Sequence, residues 1–301
     1  MRFLSEEDSA ALITEQLAYD AVRTALIAAV ADDTTTFPAL PAHGSRPHNR
    51  FTLKSAAASD IAGVKIGSYW PDNTTGPRHN STILLLDQNT GRIAAVVEAA
   101  KVNAYRTAAA DAVAADTLAL QSASTLTIFG TGHQAYYECT ALAKIRPLTT
   151  IHVVARTATH GETLVTQLTK AGLPATLTPA EEAVRAADII VTATTARTPL
   201  FDATWVTPGT HVASMGSDAK GKQELPPALL TTADLYCDLP TQSTTIGEFQ
   251  HAKTTNTITA LGNVLTGKAK GRQSQDTITV FDSSGLALQD LYIATTLLAK
   301  T

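Results

Sequence analysis

The stretch TLTIFGTGHQAYYECTALAKI, residues 125–145, constrains this chain more than any other. An apolar run of strand type ends at Gly130. A second glycine follows at 132 and a small residue at Ala135, and a run with helical spacing begins at once. A strand that feeds directly into a helix returns to its sheet by a crossover, and crossovers build parallel sheets. The same alternation continues downstream. TIHVVA, ATLT, DIIVTAT, THVASMG, ADLYCD and DTITVFD read as strands, with helices predicted over 160–171 and in PAEEAVRAA, where Pro179 takes a favoured first position. The expected fold is therefore α/β, with a Rossmann-type doubly wound sheet beginning near residue 121.

Two readings of the glycines stand on these residues. In a dinucleotide site Gly130 allows the tight turn, Gly132 lets backbone approach a pyrophosphate and Ala135 lets helix and strand pack closely, with free helix N–H groups facing the phosphates. A plain strand-to-helix turn would need only the first of these. The position after a strand and before a helix favours the cofactor. The second strand then bears on which cofactor. An NAD site places Asp or Glu about 20 residues on, to hold the ribose 2′-hydroxyl. Here IHVVARTATH offers Ala155, Arg156, Thr157 and His160 instead. An arginine with a hydroxyl suits a 2′-phosphate, so NADP(H) is favoured over NAD(H), unless Arg156 only stacks on adenine or faces solvent.

The first 120 residues do not alternate. Ser5 and Asp8 form a capping-box-like start. Residues 14–31 are predicted as a helix and ADDTTTFPALPAHGSRPHN as a loop. RFTLKSAA, GVKIGSYW and a hairpin in STILLLDQNTGRIAAVVE read as strands, and AAKVNAYRTAAADAVAADTLAL as a long helix. This charge-poor region carries Lys54, Lys65, His79 and Arg106. Lys65 stands mid-strand among apolar residues, where a lysine is costly unless it meets an anion. Arg106, beside Thr107 early in the helix, is a bidentate carboxylate clamp. Together they suggest a small carboxylate substrate; two surface cations with snorkelling stems would give the same spacing. Asp218 follows the strand THVASMG, at the strand end where ligands bind in such sheets. It is a candidate acid–base group, or else the cap of a turn.

Bulk properties exclude several classes. A net charge of −4 makes no electrostatic case for nucleic acid or an anionic membrane. The two cysteines, Cys139 and Cys237, lack metal-ligand spacing and read as packed, reduced thiols. The N-terminus is too polar for a signal peptide and no apolar run approaches 18 residues. A cytoplasmic protein without a metal is expected.

Five segments together resemble the ornithine cyclodeaminase/mu-crystallin family: GVKIGSYWPDN, AYRTAAADAVAADTLA, GTGHQA, MGSDAKGKQEL and DSSGLALQDL, in the family's order over nearly the whole chain. The resemblance implies a smaller α+β substrate-binding and dimerisation domain made of residues 1–120 and 284–301, with the dinucleotide-binding domain, 121–283, inserted between them, and a homodimer. It implies NAD(P)H-dependent reduction of a small α-imino acid. Lys65 and Arg106 would hold the carboxylate, with Lys54 at a position that is often Arg in the family. Asp218, with Lys65, would be the catalytic group. Thr107, His133, Gln134, Thr194, Met215 and Ser217 would line the cofactor site with the glycines. Tyr69, Trp70 and His79 would lie on the substrate side. Two departures matter: Pro41 occupies a place in the FPALP loop where members often carry Arg, with Arg46 and Arg50 only nearby, and YWPDN stands where many read H-P-x-N. The second form resembles the imino-acid reductase branch that contains iminosuccinate reductase. Ornithine or lysine cyclodeamination with bound NAD, alanine-type amino-acid dehydrogenation and non-catalytic NADPH binding remain alternatives within the family.

Overall fold

The computed structural model describes residues 1–252 and 256–301, which divide into two compact units, Met1–Arg106 with Leu286–Thr301 and Thr107–Gly285. In chain order the first unit contains β1 (Arg2–Leu4), α1 (Glu6–Leu12), α2 (Glu15–Ala28), β2 (Thr35–Thr36), β3 (Leu40–His43), β4 (Arg50–Ala57), β5 (Ala62–Tyr69), β6 (His79–Leu86) and β7 (Ile93–Glu98). Helix α3 (Ala100–Leu118) passes through the boundary between the units. Strands β4 to β7 pair antiparallel in sequence order, and β1 joins β7 in parallel.

Local chemistry explains the ends of these elements. Ser5 caps α1 by accepting from the Asp8 N–H at 3.2 Å, and its hydroxyl donates to Asp8 Oδ2 at 2.7 Å. The shorter Asp takes the hydroxyl proton here, where a capping-box Glu would reach back to the cap's own N–H. The loop expected over residues 31–49 is partly strand. β2 and β3 both pair with β4, β3 with Pro41 opposite Thr52. Proline suggests a loop because it donates nothing to a ladder, but on an edge strand no donor is required.

The second unit holds β8 (Thr125–Phe129), α4 (His133–Ile145), β9 (Thr150–Val154), α5 (Ala158–Lys170), β10 (Ala175–Leu177), α6 (Ala180–Ala186), β11 (Ile189–Thr192), β12 (His211–Ser214), α7 (Leu229–Thr232), β13 (Asp234–Cys237), α8 (Pro240–Ile246), β14 (Ile258–Ala260), α9 (Leu261–Leu265) and β15 (Thr279–Asp282). Its eight strands run in the order β10-β9-β8-β11-β12-β15-β13-β14, every pair parallel. β11, β12 and β15 are buried at every residue, as strands covered on both faces must be. The order reverses between β8 and β11, so the loops after these strands flank the switch point where such sheets bind ligands. The expected doubly wound α/β architecture is present.

The last helix, α10 (Ala287–Leu298), belongs to the first unit, where it packs on α2 and on β4, β5 and β6. Gly63 in β5 marks the contact: a Cβ there would lie 2.9 Å from Leu291 Cδ2. Among the described residues, no helix is long and apolar enough to cross a membrane, and no group of three or more His, Cys, Asp and Glu could hold a metal ion. Both cysteines are buried and unbridged.

Candidate active site

In the second unit the glycine loop follows β8. Gly130 has φ +114°, a conformation that L side chains rarely adopt, and a Cβ there would lie 2.5 Å from the Ala193 carbonyl in the loop after β11. Gly132 is different. It caps α4 with an ordinary φ of −80° and no side-chain hydrogen bond, and a Cβ there would meet nothing within 4 Å. The opening N–H groups of a 13-residue helix thus face open space beside a residue with no side chain, which fits a pyrophosphate. Ala135 is fully buried and lets the helix approach the sheet.

The remaining residues expected at the cofactor take these places. His133 stacks on Tyr137 with ring centroids 4.8 Å apart, and desolvation lowers its pKa below the usual histidine value. Gln134 donates to Glu138 Oε1 at 2.8 Å along α4. Arg156 and Thr157 follow β9 and are exposed, with no carboxylate at that strand end. Met215 and Ser217 are buried just past β12, and Thr107 lies half-buried on α3.

Glu224, the acidic residue of GKQEL, has a place that its spacing did not reveal. Its buried carboxylate accepts from Thr192 Oγ1 (2.8 Å), Thr194 N and Oγ1 (both 2.7 Å), Ser214 Oγ (3.0 Å) and Gly216 N (2.9 Å). One side chain therefore fixes the loops after β11 and β12, and with them Thr194, Met215 and Ser217. Glu248 accepts the backbone N–H groups of Glu224 and Leu225 in turn, and burial pushes its own pKa up. Asp218 extends from the same loop, more than half exposed, with Lys222 Nζ 2.6 Å from Oδ1; Lys222 also donates to the Gly216 carbonyl at 3.0 Å.

In the first unit, Lys65 and Arg106 meet. Alternation along β5 turns Lys65 to the same face as Gly63, toward α10, where its Nζ lies 2.8 Å from Asp290 Oδ1. Arg106 Nε is 3.4 Å from the same oxygen. Asn103 Oδ1 accepts from Lys65 Nζ at 2.5 Å and from Arg106 Nη2 at 2.8 Å. Gln289 Oε1 faces Arg106 Nη1 at 3.5 Å. Burial is the main force on Lys65, Arg106 adds to it, and its pKa is lowered to about 7 although Asp290 opposes the shift. Lys54 stands directly opposite Lys65 on β4 and repels it further. Two buried polar atoms of this cluster, Gln289 Nε2 and Asp290 Oδ2, have no hydrogen-bond partner among the described residues. An unmatched buried donor and an unmatched buried acceptor therefore lie in the cluster with the two cations.

Asn103, Gln289 and Asp290 are members of this cluster that sequence reasoning did not single out. Gln289 and Asp290 end the quoted DSSGLALQD segment, and that was their only signal. Tyr69 and His79 stack with centroids 4.4 Å apart at the far end of β5 and β6. Trp70 follows, close enough that a Cβ on Gly44 would touch its ring at 3.4 Å. Arg46 lies in the turn between β3 and β4, and Arg50 opens β4 opposite Tyr69.

The sequence pattern of the ornithine cyclodeaminase/mu-crystallin family matches residues 7–300. The iminosuccinate reductase of Paracoccus denitrificans is 33% identical over 98% of this chain and 94% of its own length. The crystal structure of that enzyme with NAD+ superposes with a TM-score of 0.94, covering 99% of this chain and 95% of the other at 31% identity. The structure of the Thermococcus litoralis Δ1-pyrroline-2-carboxylate reductase with NADH and L-proline gives a TM-score of 0.89 over 100% of this chain and 97% of that one, at 25% identity. An alanine dehydrogenase of Archaeoglobus fulgidus is 34% identical over 77% of this chain and 74% of its own.

Proposed function

The chain belongs to the ornithine cyclodeaminase/mu-crystallin family, and from that membership we propose that it reduces a small α-imino acid to the amino acid with a reduced nicotinamide dinucleotide. The observation that carries this reading is the buried Lys65–Asp290–Arg106 cluster, two cations against one carboxylate with Gln289 Nε2 buried and unmatched among the described residues. Such a cluster binds one α-carboxylate. The reductases named among the relatives act on substrates with that group.

In this reading Arg106 and Lys65 hold the α-carboxylate, with Lys54 beside them. The imine nitrogen reacts as the iminium, because a neutral imine is a poor hydride acceptor. Asp218 stabilises that cation or supplies its proton. When bound, the reduced nicotinamide supplies the hydride that Cα accepts. The C=N double bond becomes a single bond, nitrogen keeps the proton, and the products are the amino acid and the oxidised dinucleotide. Gly132 and the start of α4 hold the pyrophosphate. Asp218→Asn is expected to lower kcat on an imine substrate by a hundredfold or more; near wild-type turnover would remove the acid–base role.

For the cofactor, the strand end after β9 favours NADP(H), through Arg156 and Thr157 and the lack of a carboxylate. The two solved relatives hold NAD+ and NADH. Oxidation of NADPH and NADH measured side by side, across cyclic and acyclic imines, tests both parts. A preference for NADH overturns the role given to Arg156, and proline formed from ornithine without added cofactor would replace the reductase reading by a cyclodeaminase one. A homodimer through the first unit completes the proposal. Phe3, Phe37, Leu40, Leu86 and Ile93 are exposed in that unit and are the side chains a partner would cover. Sedimentation as a monomer at micromolar concentration would refute it.

A further inference from the structure

The face of the first sheet that carries Lys65 has a second polar place on it. Register sets the rows. Lys54, Lys65 and Ile83 lie side by side on β4, β5 and β6; two residues on come Thr52, Gly67 and Ser81; two further come Arg50, Tyr69 and His79. Helix α10 closes this face at Gly63 but leaves it open at Gly67. A Cβ on Gly67 would meet Lys65 Cε at 3.7 Å and no other heavy atom within 4 Å. Beside that opening stands Ser81, only 5% exposed, whose Oγ has no hydrogen-bond partner among the described residues. A buried hydroxyl without a partner is a cost that folding alone does not explain.

Cations stand in the rows on either side, Lys54 and Lys65 before and Arg50 beyond, with His79 next to Tyr69, and none of the three rows holds an Asp or Glu. Each row is about 7 Å from the next, so a group held by Lys65 and Arg106 at one end of a short molecule places its other end over Gly67. Resting on the imine-reductase reading, we propose that Ser81, with Thr52 and Arg50, forms the subsite for a second carboxylate, and that the substrate is an α-imino dicarboxylate of four or five carbons. Ser81 donates its hydroxyl proton to the distal carboxylate, Arg50 supplies charge from the exposed end of β4, and the absence of a side chain at Gly67 makes the room.

The test compares imines that differ only in this group, formed in place from ammonia with oxaloacetate or with pyruvate. The wild-type enzyme is expected to favour the oxaloacetate imine by tenfold or more in kcat/KM. Ser81→Ala and Arg50→Gln each reduce that ratio by about tenfold, mainly through KM. Ser81→Ala removes an unpartnered hydroxyl, so its thermal midpoint is expected not to fall. A preference for the pyruvate imine, or a loss shared equally by both substrates, overturns the subsite while leaving imine reduction intact. Calorimetric titration with L-aspartate and L-alanine reads the subsite without turnover. Tighter binding of aspartate that is lost in Ser81→Ala supports it even if no imine is reduced, and equal binding of the two refutes it.

Discussion

Lys65 shows how a single position ties burial to chemistry. A lysine taken out of water between Arg106 and Lys54 loses much of its hold on its proton, and Asp290 restores only part of it. With its pKa at about 7, the cation is present below neutrality and absent above it. If Lys65 holds the substrate carboxylate, kcat/KM falls as pH rises through about 7. Asp290→Asn removes the one group that raises the pKa, so the inflection moves to lower pH in that variant. A profile that is flat between pH 6 and 9 would sink the idea. A buried ion pair contributes little net stability over an apolar one, but removing a single partner leaves the other charge uncompensated. Lys65→Met leaves Asp290 with Arg106 alone, so it is expected to lower the thermal midpoint as well as kcat/KM, the latter by a hundredfold or more. Little of this cluster was legible in the sequence. Lys65 announced itself as a cation inside an apolar strand, but Asp290 reaches it from the far end of the chain, and no spacing rule connects the two.

At the scale of elements, the glycine loop was the most legible part, because its signals are local. A strand, two glycines and a helix within 21 residues need no distant partner to declare themselves. The structure gives the two glycines different backbone and surroundings, and substitution is expected to separate them. Gly130→Ala forces a side chain into a left-handed backbone and against the Ala193 carbonyl, so it is expected to destabilise the second unit by about 2 kcal/mol or more. Gly132→Ala meets no protein atom. It should fold normally and keep its thermal midpoint, yet weaken dinucleotide binding by tenfold or more, as measured by fluorescence titration of NADPH or NADH. If Gly132→Ala binds as tightly as wild type, the pyrophosphate does not lie over that residue. Elements whose logic is non-local were harder to see. β3 exists because β4 offers an edge, and Glu224 matters because two loops distant in sequence converge on it.

For the molecule as a whole, the alternating half of the chain could be read and the compact assembly of its buried charges could not. Asp111 on α3 and Glu138 on α4 are both fully buried in the second unit and interact with each other, and neither Asp111 oxygen meets a donor among the described residues, while the Gln134 amide donates to Glu138. Two carboxyl groups in contact share a proton, because both cannot ionise in a medium without water. Burial accordingly raises the pKa of Asp111 to about 7, from an ordinary value of 3.8. Between those values the folded chain keeps a proton that the unfolded chain has released. The stabilisation is therefore full at acid pH and is lost as pH rises through about 7. Asp111→Asn replaces the shared proton with an amide hydrogen that does not titrate. Relative to wild type, the variant should gain thermal stability from pH 5 to about pH 7 and level off above it, at about 2–4 °C for each kcal/mol regained. Calorimetry across that range decides it. A constant difference between the two proteins would mean that the pair carries no shared proton, whereas a difference that widens with pH places the proton between α3 and α4, under the helix that opens on the glycine loop.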